Sequence, residues 1–149
     1  TPAPLSDDAV VTMFKRVSEG CPELPIVLQD NPGATEAHQS VKLLARITHE
    51  VPTVSCIKLE SIPTAARLVE LRRLWETSLP PANECTVLTG LGILYVGFDM
   101  EQETQGIMTA FAFPELLQEL YQAKVANDMD AVRALYERYA PLIIFASQP

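Results

Sequence analysis

The sequence predicts an α/β protein assembled from parallel βα units, on three observations. First, short apolar runs bounded by turn residues read as strands: Ile26-Val27-Leu28-Gln29-Asp30, Val54-Ser55-Cys56-Ile57-Lys58-Leu59-Glu60-Ser61, Cys85-Thr86-Val87-Leu88-Thr89-Gly90 and Gly106-Ile107-Met108-Thr109-Ala110. Second, the stretches between them repeat apolar residues at helical spacing. Third, the runs recur at intervals of roughly thirty residues, the length of a βα unit. Four such units build either a small open sheet or half of a closed barrel, and spacing alone does not choose between these.

The elements follow in order. Ser6-Asp7-Asp8 supplies an N-cap with acids in the first turn, and Val10, Val11, Phe14 and Val17 then form an apolar face, so a helix is expected over 7–19. Pro22 and Pro25 break the chain before the strand 26–30, which Asn31-Pro32-Gly33 closes. Val41, Leu44, Ala45 and Thr48 mark a second helix that ends near Glu50, ahead of Pro52. After the run 54–61, Pro63 suits the first turn of a third helix with Ala66, Leu68, Leu71, Leu74 and Trp75 as its stripe. Pro80-Pro81 stops it before the strand 85–90. Leu91 to Gln102 reads as a helix weakened by Gly92 and Gly97, followed by a short strand over 106–110. Pro114 opens a helix through Ala126, and Asp128 or Asp130 caps a last one whose Val132, Leu135, Tyr136 and Tyr139 face inward. Residues 1–113 are thus expected to hold the βα units and 114–149 the C-terminal helices.

Composition narrows the class of partner. A chain of 149 residues, 48% apolar and 20% charged, is sized for one domain with a sizeable core. Its net charge of -8, from 19 acidic against 11 basic residues, argues against nucleic acid or an anionic membrane face, both of which reward clustered Lys and Arg. Cys21, Cys56 and Cys85 are odd in number and lack a C-x-x-C spacing, so no disulfide framework or zinc site is expected. Cys56 and Cys85 read as small buried hydrophobes in a reducing compartment. No apolar run approaches the ~18 residues of a membrane span, and Thr1-Pro2-Ala3-Pro4 does not resemble a secretory leader. A cytoplasmic protein is the expectation.

Lys58 is the residue that demands an explanation, because a buried strand of this kind is normally Val, Ile and Leu throughout. Burial disfavours the charged form of an ammonium, and a free amine can attack a carbonyl, which makes the residue a candidate Schiff-base nucleophile. The alternative is an edge-strand lysine whose stem covers apolar surface while its head reaches water. Strand alternation places Cys56, Lys58 and Glu60 on one face. Glu60 is then either a carboxylate at the strand end in solvent, a proton-transfer group, or the partner that holds Lys58 charged. Asp30 is a turn residue or a group at the carboxyl edge of its strand. His38 and His49 are eleven apart, both expected on the second helix and exposed, and do not form an i, i+4 metal pair. Gly90-Leu91-Gly92 at a helix start offers weak anion-binding character.

Taken together, Pro25-Ile26-Val27-Leu28-Gln29-Asp30-Asn31-Pro32, Cys56-Ile57-Lys58-Leu59-Glu60-Ser61, Val87-Leu88-Thr89-Gly90 and Gly106-Ile107-Met108-Thr109 with Phe113-Pro114-Glu115 resemble, in order and spacing, the dihydrodipicolinate synthase and N-acetylneuraminate lyase family. The resemblance covers nearly all of the chain. It implies a (β/α)8 TIM barrel of which these residues are the C-terminal half, strands five to eight with the C-terminal helices. It also implies a lyase or aldolase-like activity on pyruvate or another 2-oxo acid, with no cofactor and no metal. Lys58 matches the family's Schiff-base lysine, Gly90 a glycine beside the bound keto acid, and Met108 an apolar residue lining the same site. Gln29 and Glu60 border that site.

Two departures bear on chemistry. Gln29 stands where the family has a proton-relaying tyrosine, and an amide can orient a water but cannot give or take a proton near neutral pH. Ala34 stands where some members place an arginine that meets a substrate carboxylate, which argues against true dihydrodipicolinate synthesis. The family's threonine-rich carboxylate-binding loop belongs to the first half of the barrel, and nothing in these residues replaces it. Half a barrel leaves strand edges open, so a homo-oligomer or a separately supplied half is expected. A non-catalytic barrel homologue with a structural or regulatory role is the alternative reading.

Overall fold

The structure, a computed structural model, describes residues 5–102, 104–108 and 114–148. The chain divides into two compact units, Thr1–Val87 and Leu88–Pro149, each with a core of its own.

In the first unit α1 (Asp7–Gly20) is capped by Ser6, whose hydroxyl accepts the Ala9 amide. Val11 is its buried contact, with Val10 and Phe14 partly covered, but Val17 is half exposed. The inward positions continue from Phe14 to Ser18, whose hydroxyl accepts from Thr53, and this turns Val17 to solvent. β1 (Ile26–Asp30) follows, then a single turn α2 (Pro32–Thr35) capped by Asn31. α3 (Val41–Glu50) starts at Ser40, whose hydroxyl accepts the Leu43 amide, and buries Val41, Leu43, Leu44, Ala45, Ile47 and Thr48. His38 therefore precedes the helix instead of lying on it, while His49, also exposed, sits in its last turn and meets the Pro80 carbonyl through Nδ1.

β2 (Val54–Leu59) runs parallel to β1, with Leu28 opposite Ile57, Gln29 opposite Lys58 and Asp30 opposite Leu59. α4 (Thr64–Thr77) takes Pro63 as its N-cap, one position earlier than the first-turn place the sequence suggests. Its inward stripe is Thr64, Leu68, Leu71 and Trp75, whose indole donates to Thr48, whereas Ala66 is exposed. Leu28, Ile57 and Leu59 are sealed between the strands and helices α3 and α4, and this apolar layer fixes the register of the two strands.

β3 (Thr86–Thr89) spans the boundary between the units. In the second unit it pairs in parallel with β4 (Gly106–Ile107), Leu88 opposite Gly106 and Thr89 opposite Ile107. A Cβ on Gly106 would stand 2.8 Å from Leu88 Cδ2, so a larger residue there would have to displace the end of the Leu88 side chain. Thr109 and Ala110, expected in this strand, and Phe113 lie outside the described residues. The single helix expected over Leu91–Gln102 is instead a 3-10 turn, Leu91–Ile93, and a short α5 (Val96–Glu101). Leu91 and Ile93 take left-handed φ values of 54° and 65°, which no α-helix accommodates. α6 (Pro114–Val125) and α7 (Met129–Ala146) complete the unit, Asp128 capping α7 by accepting the Ala131 amide. Leu116, Leu120, Val132 and Ile143 close its core with Ile93, Val96 and Met100, and the Tyr136 hydroxyl donates to the Leu94 carbonyl. Among the described residues no helix is long and apolar enough to cross a membrane.

Lys15 and Arg46 both bond the Glu50 carboxylate, tying α1 to α3, and Arg46 also reaches Asp8. These contacts, that to Lys15 foremost, hold the Glu50 carboxyl below its ordinary value of 4.5. A carboxyl lowered on folding contributes stability that is complete above its unfolded pKa and is lost as pH falls through its folded pKa. Glu50→Gln is therefore expected to destabilise the chain at neutral pH, by less than about 1 kcal/mol for so exposed a network. In melts taken between about pH 7 and pH 3, the gap to the parent should close below pH ~4.5.

Candidate active site

The polar residues of the first unit converge at the carboxyl ends of β1 and β2. Alternation and register put Val27, Gln29, Cys56 and Lys58 on one face of the strand pair, and Leu28, Asp30, Ile57 and Leu59 on the other. The second face is packed on the helices, whereas Val27 is 51% exposed, Gln29 is exposed and Lys58 keeps 19% of its side chain accessible. Cys56 shares this less covered face, so it is half-buried and not the core residue that its apolar run suggests. Cys85 is the buried one, and burial, helped by Cys56, pushes its thiol up to about 12. That keeps it a packing group.

Glu60 is the centre of the cluster. It is 7% exposed, which overturns its reading as a strand-end carboxylate in solvent. Lys58 Nζ lies 3.4 Å from its Oε1. Its Oε2 accepts from Gln29 Nε2 at 2.7 Å and from Asn31 Nδ2 at 3.1 Å, and its backbone amide donates to the Asp30 carbonyl at 3.0 Å. Gln29 and Asn31, on either side of Asp30, thus hold one oxygen of the carboxylate while the other faces the lysine, and the Asp30 carbonyl holds its backbone. Charge-assisted bonds of this kind offset the desolvation that such burial costs.

Asp30 is neither a simple turn residue nor part of this face. Its side chain is fully buried on the helix side, where Arg67 Nη2 on α4 meets Oδ2 at 2.9 Å. Alternation could have revealed this, since Asp30 must face away from Gln29. Asn31 and Arg67 were not legible as members: the first reads as a turn residue, the second as one more solvated helix charge.

In the second unit, Gly90 and Met108 directly follow β3 and β4, and the Met108 amide donates to the Thr89 carbonyl at 2.8 Å. They are therefore neighbours across that strand pair, with Met108 40% exposed. Gly90 (φ -133°, ψ -124°) leads into the strained Leu91 and Ile93. The 3-10 turn that it opens is three residues long, too short for the anion site that Gly90-Leu91-Gly92 suggests.

Parallel strands alternating with helices, and polar side chains gathered at the carboxyl ends of the strands, define part of an α/β barrel of the (β/α)8 type. No family model matches the chain. It is 30% identical over 135 residues to the L-2-keto-3-deoxyarabonate dehydratase of Azospirillum brasilense, a match that takes in 90% of this chain and 41% of that protein. It superposes on the crystal structure of dihydrodipicolinate synthase from Rhodopseudomonas palustris with a TM-score of 0.85 at 28% identity, over 96% of this chain and 47% of that one. The enzyme of the same name from Aquifex aeolicus, at 21% identity, shares the fold with a TM-score of 0.76 over 94% and 45%. The chain belongs to the dihydrodipicolinate synthase and N-acetylneuraminate lyase family, and it spans less than half the length of these relatives.

Proposed function

We propose that this chain is the Schiff-base-carrying half of a barrel lyase acting on a 2-oxo acid, with Lys58 as nucleophile and Glu60 as its proton-transfer group. The observation that carries the reading is the 3.4 Å approach of Lys58 Nζ to a buried carboxylate that two amides hold in place. The amine attacks the keto carbon, and loss of water leaves an iminium that acidifies the hydrogens on the next carbon. Glu60 takes one of them, giving an enamine. If the following carbon bears a hydroxyl, the enamine expels it, and the proton on Glu60 leaves with it as water. Hydrolysis of the resulting unsaturated iminium frees the product and restores Lys58. One carboxylate serves both proton steps, so the tyrosine that Gln29 replaces is not needed.

This favours a dehydratase of 2-oxo acids that carry a hydroxyl two carbons from the ketone, the chemistry in the name of the Azospirillum relative. Ala34 offers no cation for a second substrate carboxylate, which speaks against dihydrodipicolinate synthesis. The rest of the barrel, from a further segment or another polypeptide, supplies the carboxylate-binding loop. The same Gln29 also suits a second reading, a barrel that has lost catalysis and serves in assembly. Borohydride reduction with pyruvate separates the two in a complete barrel containing these residues. The expected result is one reduced pyruvate attached at Lys58 by peptide mass, and no adduct with any of several 2-oxo acids would end the enzymatic reading.

A further inference from the structure

The structure assigns Arg67 as a positioning residue for the Lys58–Glu60 pair, acting from the opposite side of the strands through Asp30. The inference rests on the reading of that pair as the reacting groups. Arg67 stands in the first turns of α4, and its Nη2 bonds both Asp30 Oδ2 at 2.9 Å and the Gln39 carbonyl at 2.8 Å. It thereby pins the end of β1 to α4 and to the segment leading into α3. Asp30 is fully buried, so its carboxylate depends on this partner. The backbone carbonyl of the same residue receives the Glu60 amide, and the residues on either side of it, Gln29 and Asn31, hold Glu60 Oε2. Gln29, Asp30 and Asn31 thus each bond Glu60, and Arg67 anchors these three residues at their middle. A shift of that segment by a few tenths of an ångström lengthens all three together and frees the carboxylate from its aim at Lys58.

A merely structural ion pair would support the first unit as a whole. A positioning residue controls the Glu60 contacts in particular, and hydrogen exchange of individual amides separates the two. Removing the side chain leaves a buried carboxylate unpaired and endangers folding, so the variant of choice is Arg67→Lys. It keeps the charge beside Asp30 but replaces the rigid guanidinium, whose Nη2 serves both acceptors, with a flexible ammonium. In the chain as it stands, exchange at the Glu60 amide is expected to accelerate at least tenfold more than at the Ile57 and Leu59 amides of β2, the strand just before it. Acceleration of all three by one common factor, or of none, would overturn the proposal. The readout needs no substrate. If the parent barrel forms no pyruvate adduct, the functional reading fails while the exchange data still report on Arg67. If the adduct forms and Arg67→Lys leaves Glu60 exchange unchanged, the positioning role alone is refuted.

Discussion

Glu60→Gln in a complete barrel is expected to leave Lys58 able to trap a 2-oxo acid while turnover falls about 10²- to 10⁴-fold, the usual contribution of a positioned acid or base. The substitution preserves shape. The side-chain carbonyl can still accept from Gln29 and Asn31, which lie 2.7 and 3.1 Å from Oε2 in the parent. What disappears is the group that takes the proton from the keto acid and returns it to the leaving hydroxyl. Gln29 and Asn31 are amides and cannot substitute for it. Stopped reactions should accumulate the iminium, so borohydride trapping of a dehydratable substrate would rise as product formation falls. Turnover within threefold of the parent would show that the proton travels by another route and that Glu60 only holds the lysine in place.

The strand framework was legible because local chemistry and global packing agree there. Pro25 and Asn31-Pro32 fence Ile26–Asp30 so tightly that the expected and observed limits of β1 coincide. Alternation then places Lys58 correctly opposite the helix-packed face. The stretch after β3 was not legible. Leu91 and Ile93 are ordinary helix-compatible residues by propensity, yet both adopt positive φ in the turn that follows Gly90. Glu60 was misjudged for a related reason. It lies just beyond β2, where alternation no longer governs, and its burial comes from amides 29 and 31 positions earlier in the chain. Long-range polar satisfaction of this kind has no periodic signature. The Arg67–Asp30 pair is similar, since its 37-residue separation hides it from helix-surface rules that act at i, i+3 and i, i+4.

Lys58→Met is expected to abolish the 2-oxo acid adduct entirely, at a cost in stability of about 1 kcal/mol rather than the 3–5 kcal/mol of a broken buried ion pair. The structure gives the physical reason for the smaller figure. Lys58 is not sealed in, keeping 19% of its side chain accessible, and its contact to Glu60 is long at 3.4 Å. Glu60 does not depend on it, because the Gln29 and Asn31 amides remain on Oε2 and the Asp30 carbonyl still receives its backbone amide. Methionine matches the apolar stem of the lysine with little change in volume. Thermal or urea unfolding of the variant should thus lie close to the parent while borohydride trapping goes to zero. A Lys58→Met protein that melts far below the parent, with keto-acid binding intact, would mean that the lysine is held at this position by the fold and not by the chemistry.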